Sequence, residues 1–276
     1  MLDTCGPAEI IPYEPDMYNN SAGKRYGIHC FKAWVKPSSL SCIMLETMET
    51  KDSSNNIFIT DKYKLQFITH CNDVYSYADS ARAALEGGCR WIQLRMKDAS
   101  EYLLENTAII VQRMCKEYGA TFIIDDNVHL VGKIKADGVH LGKNDMPVAQ
   151  ARKILGDQYI IGSTVNSFHD ILSILETAVP DYFGCGPFRF TSTKKNLSPV
   201  LGPDGYREIT SKMKDKGIDI PLVAIGGIRK DDIPVLLDCG VNGIALSSSV
   251  LNAGNPIMEM QDIAYRFSAF NKQQPF

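Results

Sequence analysis

The sequence predicts a (β/α)8 TIM barrel preceded by an N-terminal extension. Eight short apolar or β-branched runs recur after residue 62, helix-type patterns separate them, and no G-x-G-x-x-G follows the first run. Strands alternating with helices call for parallel pairing through crossover helices. Eight such units in about 210 residues fit a closed barrel. Without the glycine fingerprint, the usual reason to prefer an open dinucleotide-binding sheet is gone.

In chain order, the expected strands are KLQFITH (64–70), RWIQLR (90–95), TFIID (121–125), GVHL (138–141), YIIGS (159–163), YFGC (182–185), LVAI (222–225) and GIALS (243–247). Amphipathic stretches at 76–86, 101–118, 148–155, 167–177, 206–216 and 231–239 supply helices between them. Within 101–118, Leu103, Thr107, Ile110, Val111 and Met114 have the spacing of one buried helix face. Residues 1–62 mix Pro, Asn, Ser, Lys and Glu without sustained periodicity, and 51–56 is polar and linker-like. Two segments are therefore expected: an extension at 1–62, poorly ordered or produced by an upstream start with Met44 and Met48 as internal alternatives, and a catalytic barrel at 63–276.

A net charge of -3 gives no electrostatic case for nucleic acid or a membrane surface. No apolar run approaches the roughly 18 residues of a membrane span. The first residues, with Asp3, Glu9 and Glu14, lack a signal peptide's apolar region. None of the eight cysteines forms a C-x-x-C pair, so they read as reduced residues of a cytoplasmic protein. A homo-oligomer is allowed.

In a barrel the chemistry gathers at the C-terminal ends of the strands. The second strand ends in Gln93, Arg95 and Lys97 on one side, two cations suited to phosphate or pyrophosphate, although a lone R-x-K also describes a solvated strand end. Asp125-Asp126 ends the third strand and Asp145 follows the fourth. Carboxylates at neighbouring strand ends suit Mg²⁺, although they also suit turns and caps. The sixth strand leads into a segment, 186–203, that is long for a βα loop and carries Thr191, Thr193 and Lys194. Gly226-Gly227 after the seventh strand and Ser247-Ser248-Ser249 after the eighth suit a phosphate held by main-chain N–H groups. One cationic site with carboxylates and one neutral cradle imply a diphosphorylated and a monophosphorylated ligand. His140 and His129 read as packing or surface residues, and Cys185 as a small packing residue.

Seven motifs in order, Q-L-R-M-K, I-I-D-D-N-V, D-G-V-H-L-G-K-N-D, I-G-S-T-V-N, D-Y-F-G-C-G-P-F-R-F-T-S-T-K-K, V-A-I-G-G-I and G-I-A-L-S-S-S, make residues 64–267 resemble thiamine phosphate synthase. The resemblance implies an Mg²⁺-dependent transferase joining hydroxymethylpyrimidine diphosphate to thiazole phosphate, or to its carboxylated form, with release of pyrophosphate. It implies that Gln93, Arg95, Lys97, Ser163, Thr191, Thr193 and Lys194 hold the pyrimidine diphosphate, with Arg95, Lys97 and Lys194 catalytic. Asp126 and Asp145 match the metal ligands; Gly226, Gly227, Ser247 and Ser248 match the thiazole phosphate site. Asp125 stands where the family usually has Asn, which leaves metal binding or altered pyrimidine contact open for it.

Two other activities fit the same barrel. A thiazole tautomerase would carry a histidine after the fifth strand, where this chain has Asn166. A sensor of thiazole or thiamine phosphates would bind without turnover.

Overall fold

The computed structural model describes residues 63–190 and 198–273, together with the short strands Tyr18–Asn19 and Arg25–Tyr26. The chain divides into two units, Met1–Ser53 and Ser54–Phe276. In the first unit the described residues form one antiparallel pairing, with Tyr18 opposite Tyr26 and Asn19 opposite Arg25. Everything else expected of residues 1–62 lies outside the described residues.

The second unit is a closed barrel of eight parallel strands, as the alternating pattern predicts. The strands are β1 (Leu65–Ile68), β2 (Trp91–Leu94), β3 (Thr121–Asp125), β4 (Gly138–Leu141), β5 (Ile160–Val165), β6 (Tyr182–Cys185), β7 (Leu222–Ile225) and β8 (Gly243–Leu246). β8 closes on β1, with Ile244 beside Leu65 and Leu246 beside Phe67. Each strand end lies within a residue or two of its sequence expectation. The shift matters in β5, which runs past Ser163 to Val165.

Helices α1 (Tyr77–Glu86), α2 (Glu101–Glu117), α3 (Val128–Ile134), α4 (Val148–Leu155), α5 (Phe168–Leu175), α6 (Gly202–Asp215), α7 (Ile233–Asp238), α8 (Ser248–Leu251) and α9 (Pro256–Gln273) surround the strands. Three of them, α3, α8 and α9, lie outside the stretches read as helical from sequence. α3 is short and built from β-branched residues around Gly132, a weak helix former by propensity. Its ends compensate: Asn127 accepts the Leu130 N–H at 2.9 Å, and Lys135 closes the helix with φ 54°. α9 buries Met260, Ile263, Ala264 and Phe267, a full helical stripe that completes the outer ring.

The expected face of α2 needs correction. Val111 and Met114 are buried as expected, but Leu103 and Ile110 are 41% and 45% exposed, and Ala108 and Cys115 complete the buried face.

Ile68, Trp91, Ile123, Ile160, Tyr182, Val223 and Ala245 form one buried cluster contributed by seven of the strands. Tyr182 packs edge-on to Trp91, with ring centroids 4.8 Å apart. Gly162 makes room for it, since a β-carbon there would strike the Tyr182 ring. These side chains pack the barrel interior beneath the C-terminal strand ends. Cys89, Cys115, Cys185 and Cys239 are buried, Cys71 partly so, and all five are free thiols. Burial pushes the Cys185 thiol up to about 12, as suits a packing residue. Among the described residues, no helix is long and apolar enough to cross a membrane.

Candidate active site

A cavity of about 490 Å³ opens at the C-terminal strand ends. It takes residues from several strands, and its two ends differ in chemistry.

One end is densely charged. Alternation along β2 turns Gln93 inward, with Arg95 and Lys97 following in phase. Gln93 donates from Nε2 to Asp125 Oδ1 at 2.7 Å. Arg95 Nε and Lys97 Nζ each lie 3.4 Å from Asp125 Oδ2. Lys97 also pairs with Asp126 and lies 4.0 Å from Asp145 Oδ2. Thr69, from the end of β1, accepts the Arg95 main-chain N–H at 3.0 Å. Asp126 has a left-handed backbone, φ 62°, which a non-glycine residue seldom adopts. Its N–H is tied to the His140 carbonyl at 2.8 Å, which fixes this turn at the strand end.

These charges perturb one another. Burial works to lower the Lys97 pKa, but Asp125, Asp126 and Asp145 outweigh it and hold the ammonium above its ordinary value. Burial raises Asp126 to about 7, assisted by its hydrogen bond with Asp145 and the charge of Asp125, against the pull of Lys97. Asp145 moves the other way. Burial would raise it, yet the hydrogen bonds from Asp126 and from the Gly142 N–H, the latter 2.7 Å long, lower it. The two neighbouring carboxyls are thus driven in opposite directions, Asp126 up and Asp145 down. Asp125 Oδ2 and Asp126 Oδ1 are buried and accept no hydrogen bond.

The other end is built from main chain. Gly226 and Gly227 follow β7 with φ 95° and 68°, conformations that favour glycine. The segment after β6 packs directly on them, with the Phe188 N–H donating to the Ile225 carbonyl at 2.8 Å and the Arg189 N–H to Gly226 at 3.1 Å. Opposite stand Ser247 and the first turn of α8. The Ser248 and Ser249 N–H groups precede the helix's first hydrogen bond, Val250 N–H to Ser247 at 3.1 Å. Ser247 Oγ is buried without a hydrogen-bond partner.

Gln93, Arg95, Lys97, Asp125, Asp126, Gly226, Gly227, Ser247 and Ser248 therefore line one cavity. Asp145 stands at its edge, joined through Asp126, Lys97 and Gly142. Ser163 is not among the lining residues, whereas Thr164 is, in phase with Gly162 and Ile160 on the interior of β5. Thr191, Thr193 and Lys194 lie outside the described residues. His129 is exposed on α3.

His140 lies in the cavity floor. Its Nδ1 is 2.9 Å from the Tyr182 hydroxyl and its Nε2 is 2.9 Å from Thr164 Oγ1. Gln66 donates to that tyrosine oxygen at 3.4 Å. Both ring nitrogens of His140 are thus within hydrogen-bond distance of a hydroxyl, which fixes the ring's orientation in the cavity. Sequence reasoning missed Thr164, Thr69 and Arg229. Extending the alternation of the fifth strand by two residues finds Thr164; the other two carry no distinctive local pattern.

Residues 65–250 match the family described as thiamine monophosphate synthase. A thiamine-phosphate synthase of Phocaeicola vulgatus is 60% identical over 200 residues, spanning 72% of this chain and 96% of its own. One from Bacteroides thetaiotaomicron is 54% identical over 199 residues, spanning 72% of this chain and 95% of its own. The solved thiamine phosphate pyrophosphorylase from Pyrococcus furiosus is 32% identical, with a TM-score of 0.66, over 78% of this chain and 97% of that one. The matched stretch holds both ends of the cavity, from Gln93 to Ser248, and the chain belongs to the thiamine monophosphate synthase family of transferases.

Proposed function

We propose that this protein joins hydroxymethylpyrimidine diphosphate to thiazole phosphate, or to its carboxylated form with added loss of carbon dioxide, giving thiamine phosphate and pyrophosphate. The carrying observation is a single cavity with two unlike anion ends, one cationic with carboxylates, the other main chain. Arg95 and Lys97, with Lys194, take the diphosphate; Gly226, Gly227, Ser247 and Ser248 take the monoester. Gln93 already donates one Nε2 N–H to Asp125, and its Oε1 is buried without a partner. An open acceptor suits the aminopyrimidine N–H groups better than a phosphate, so Gln93 and Asp125 are assigned to the ring. Thr164, not Ser163, supplies the hydroxyl on β5.

Asp126 and Asp145 fit a divalent cation, because Asp126 Oδ1 is an unpartnered hard oxygen facing the charged end. Among the described residues no group of three or more His, Cys, Asp or Glu could hold a metal, so substrate and water oxygens would complete the shell. When bound, Mg²⁺ would neutralise charge on the diphosphate and improve it as a leaving group.

In the reaction, the bond between the pyrimidine methylene carbon and the diphosphate oxygen breaks, and its electron pair leaves with the diphosphate. Arg95 and Lys97 stabilise that developing charge. The electron-rich aminopyrimidine supports the methylene cation. The thiazole nitrogen, positioned by its own phosphate, donates its lone pair to form the new C–N bond. No general base is needed, and none is assigned. Asn166 donates to the Gly186 and Pro199 carbonyls at 2.9 and 3.0 Å. It braces the loop after β6 and offers no acid or base for a tautomerase.

The test is to incubate the protein with both substrates and Mg²⁺. Thiamine phosphate and pyrophosphate are expected in equal amounts, and neither when a substrate is omitted. Tight binding of both substrates without product would refute the assignment in favour of a sensor.

A further inference from the structure

Read as sequence, the cradle after β7 and β8 is neutral, but the structure adds a charge. Arg229 follows Ile228 and lines the same cavity as Gly226, Gly227 and Ser248, with its side chain exposed.

Two carboxylates stand near it in sequence, and both are engaged elsewhere. Asp232 accepts from Nη1 and Nη2 of Arg189 at 2.6 and 2.8 Å, and from the Arg229 main-chain N–H at 2.8 Å. Asp231 faces Arg266 at 3.4 Å. The adjacent cation, Lys230, is bound by Glu259 at 2.8 Å and Asp262 at 3.0 Å. Among the described residues, Arg229 is thus the cation of this segment that no carboxylate neutralises. Asp232 anchors its main chain while leaving its guanidinium free. A planar guanidinium with several fixed donors matches the oxygens of a phosphate monoester.

We propose that Arg229 binds the phosphate monoester of the second substrate, adding charge to the Gly226–Gly227 and Ser247–Ser248 pocket. The inference rests on the reading of that pocket as the monoester end. It also divides labour between the two arginines: Arg189, neutralised by Asp232, braces the loop, and Arg229 meets the ligand.

The experiment measures equilibrium binding of thiazole phosphate and of the unphosphorylated thiazole alcohol to the wild type, Arg229→Gln and Arg229→Lys. Arg229→Gln is expected to weaken thiazole phosphate about tenfold, the scale of one charged hydrogen bond. Alcohol binding and the KM for the pyrimidine diphosphate should stay within about twofold, and Arg229→Lys should recover part of the loss. Added salt should weaken thiazole phosphate more in the wild type than in Arg229→Gln. If the wild type binds alcohol and monoester equally, the pocket reading fails and this inference with it. If the wild type prefers the monoester and Arg229→Gln keeps that preference in full, the role of Arg229 alone is overturned.

Discussion

Replacing Gly227 with alanine isolates what close main-chain packing contributes to the cradle. Gly227 has φ 68°, where a β-carbon costs about 1–2 kcal/mol on conformation alone. That carbon would also strike the Arg189 side chain and approach the carbonyl oxygens of Phe190 and Arg189 at 3.0 and 3.2 Å. These main-chain atoms have little freedom to retreat. The Phe188 and Arg189 N–H groups are bonded to Ile225 and Gly226, and the Arg189 guanidinium donates to the Gly227 carbonyl at 2.9 Å as well as to Asp232. Overpacking of this kind adds about 1–3 kcal/mol. Gly217 is the control, with φ 64° and open space where its β-carbon would stand. Gly227→Ala should lose about 2–5 kcal/mol, against about 1–2 for Gly217→Ala. For a domain of this size, thermal denaturation should fall about 3 °C per kcal/mol. Only Gly227→Ala should raise the KM for thiazole phosphate. Equal melting of the two variants would refute the packing argument, and an unchanged KM would remove Gly227 from the cradle.

Three further outcomes follow from the charged end. Asp126 sits at about 7 in the folded protein against an ordinary 3.8, so the metal-free native state keeps a proton that the unfolded chain releases. Metal-free stability from this group should therefore fall as pH rises from 3.8 toward about 7, and Asp126→Asn should flatten a plot of melting temperature against pH over that window. Asp145, shifted downward, acts below its ordinary value and does not mask the effect. Lys194→Ala should cut turnover about tenfold or more, measured as thiamine phosphate formed, and near-normal turnover would exclude this lysine from leaving-group stabilisation. Chelating the metal should abolish binding of the pyrimidine diphosphate in calorimetry while thiazole phosphate still binds; loss of both would contradict separate anion ends.

The sequence made the barrel legible because strand period and strand-end chemistry are both local. Each expected strand appears, and nine of the singled-out residues line one cavity. Weakly patterned features were missed. α3 is held by a cap and tertiary packing against its own low propensity. The resemblance alone singles out Ser163; the fifth strand runs on to Val165, and its alternation turns Thr164 rather than Ser163 toward the cavity. Arg229 escaped notice because its significance depends on where Asp231 and Asp232 spend their charge, and those partners, Arg266 and Arg189, lie 35 and 43 residues away. No local motif encodes such commitments.

The charge balance of the densely charged end bears on why this enzyme would need a divalent cation. Among the described residues, Arg95 and Lys97 face Asp125, Asp126 and Asp145, so two cations meet three carboxyls. Even with Asp126 protonated, that end carries no net positive charge. A diphosphate entering it would meet cations already paired with carboxylates. Lys194 adds only one charge by resemblance, too little for a ligand with several. A divalent ion held by Asp126 and Asp145 would add two positive charges while using the same groups that otherwise repel the ligand. The carboxylates that leave this end without net positive charge would thus become, with a metal bound, the means of holding a diphosphate that brings its own ion. At the opposite end, no carboxylate among the described residues lines the cradle of Gly226, Gly227 and Ser248, so a monoester would need no metal there.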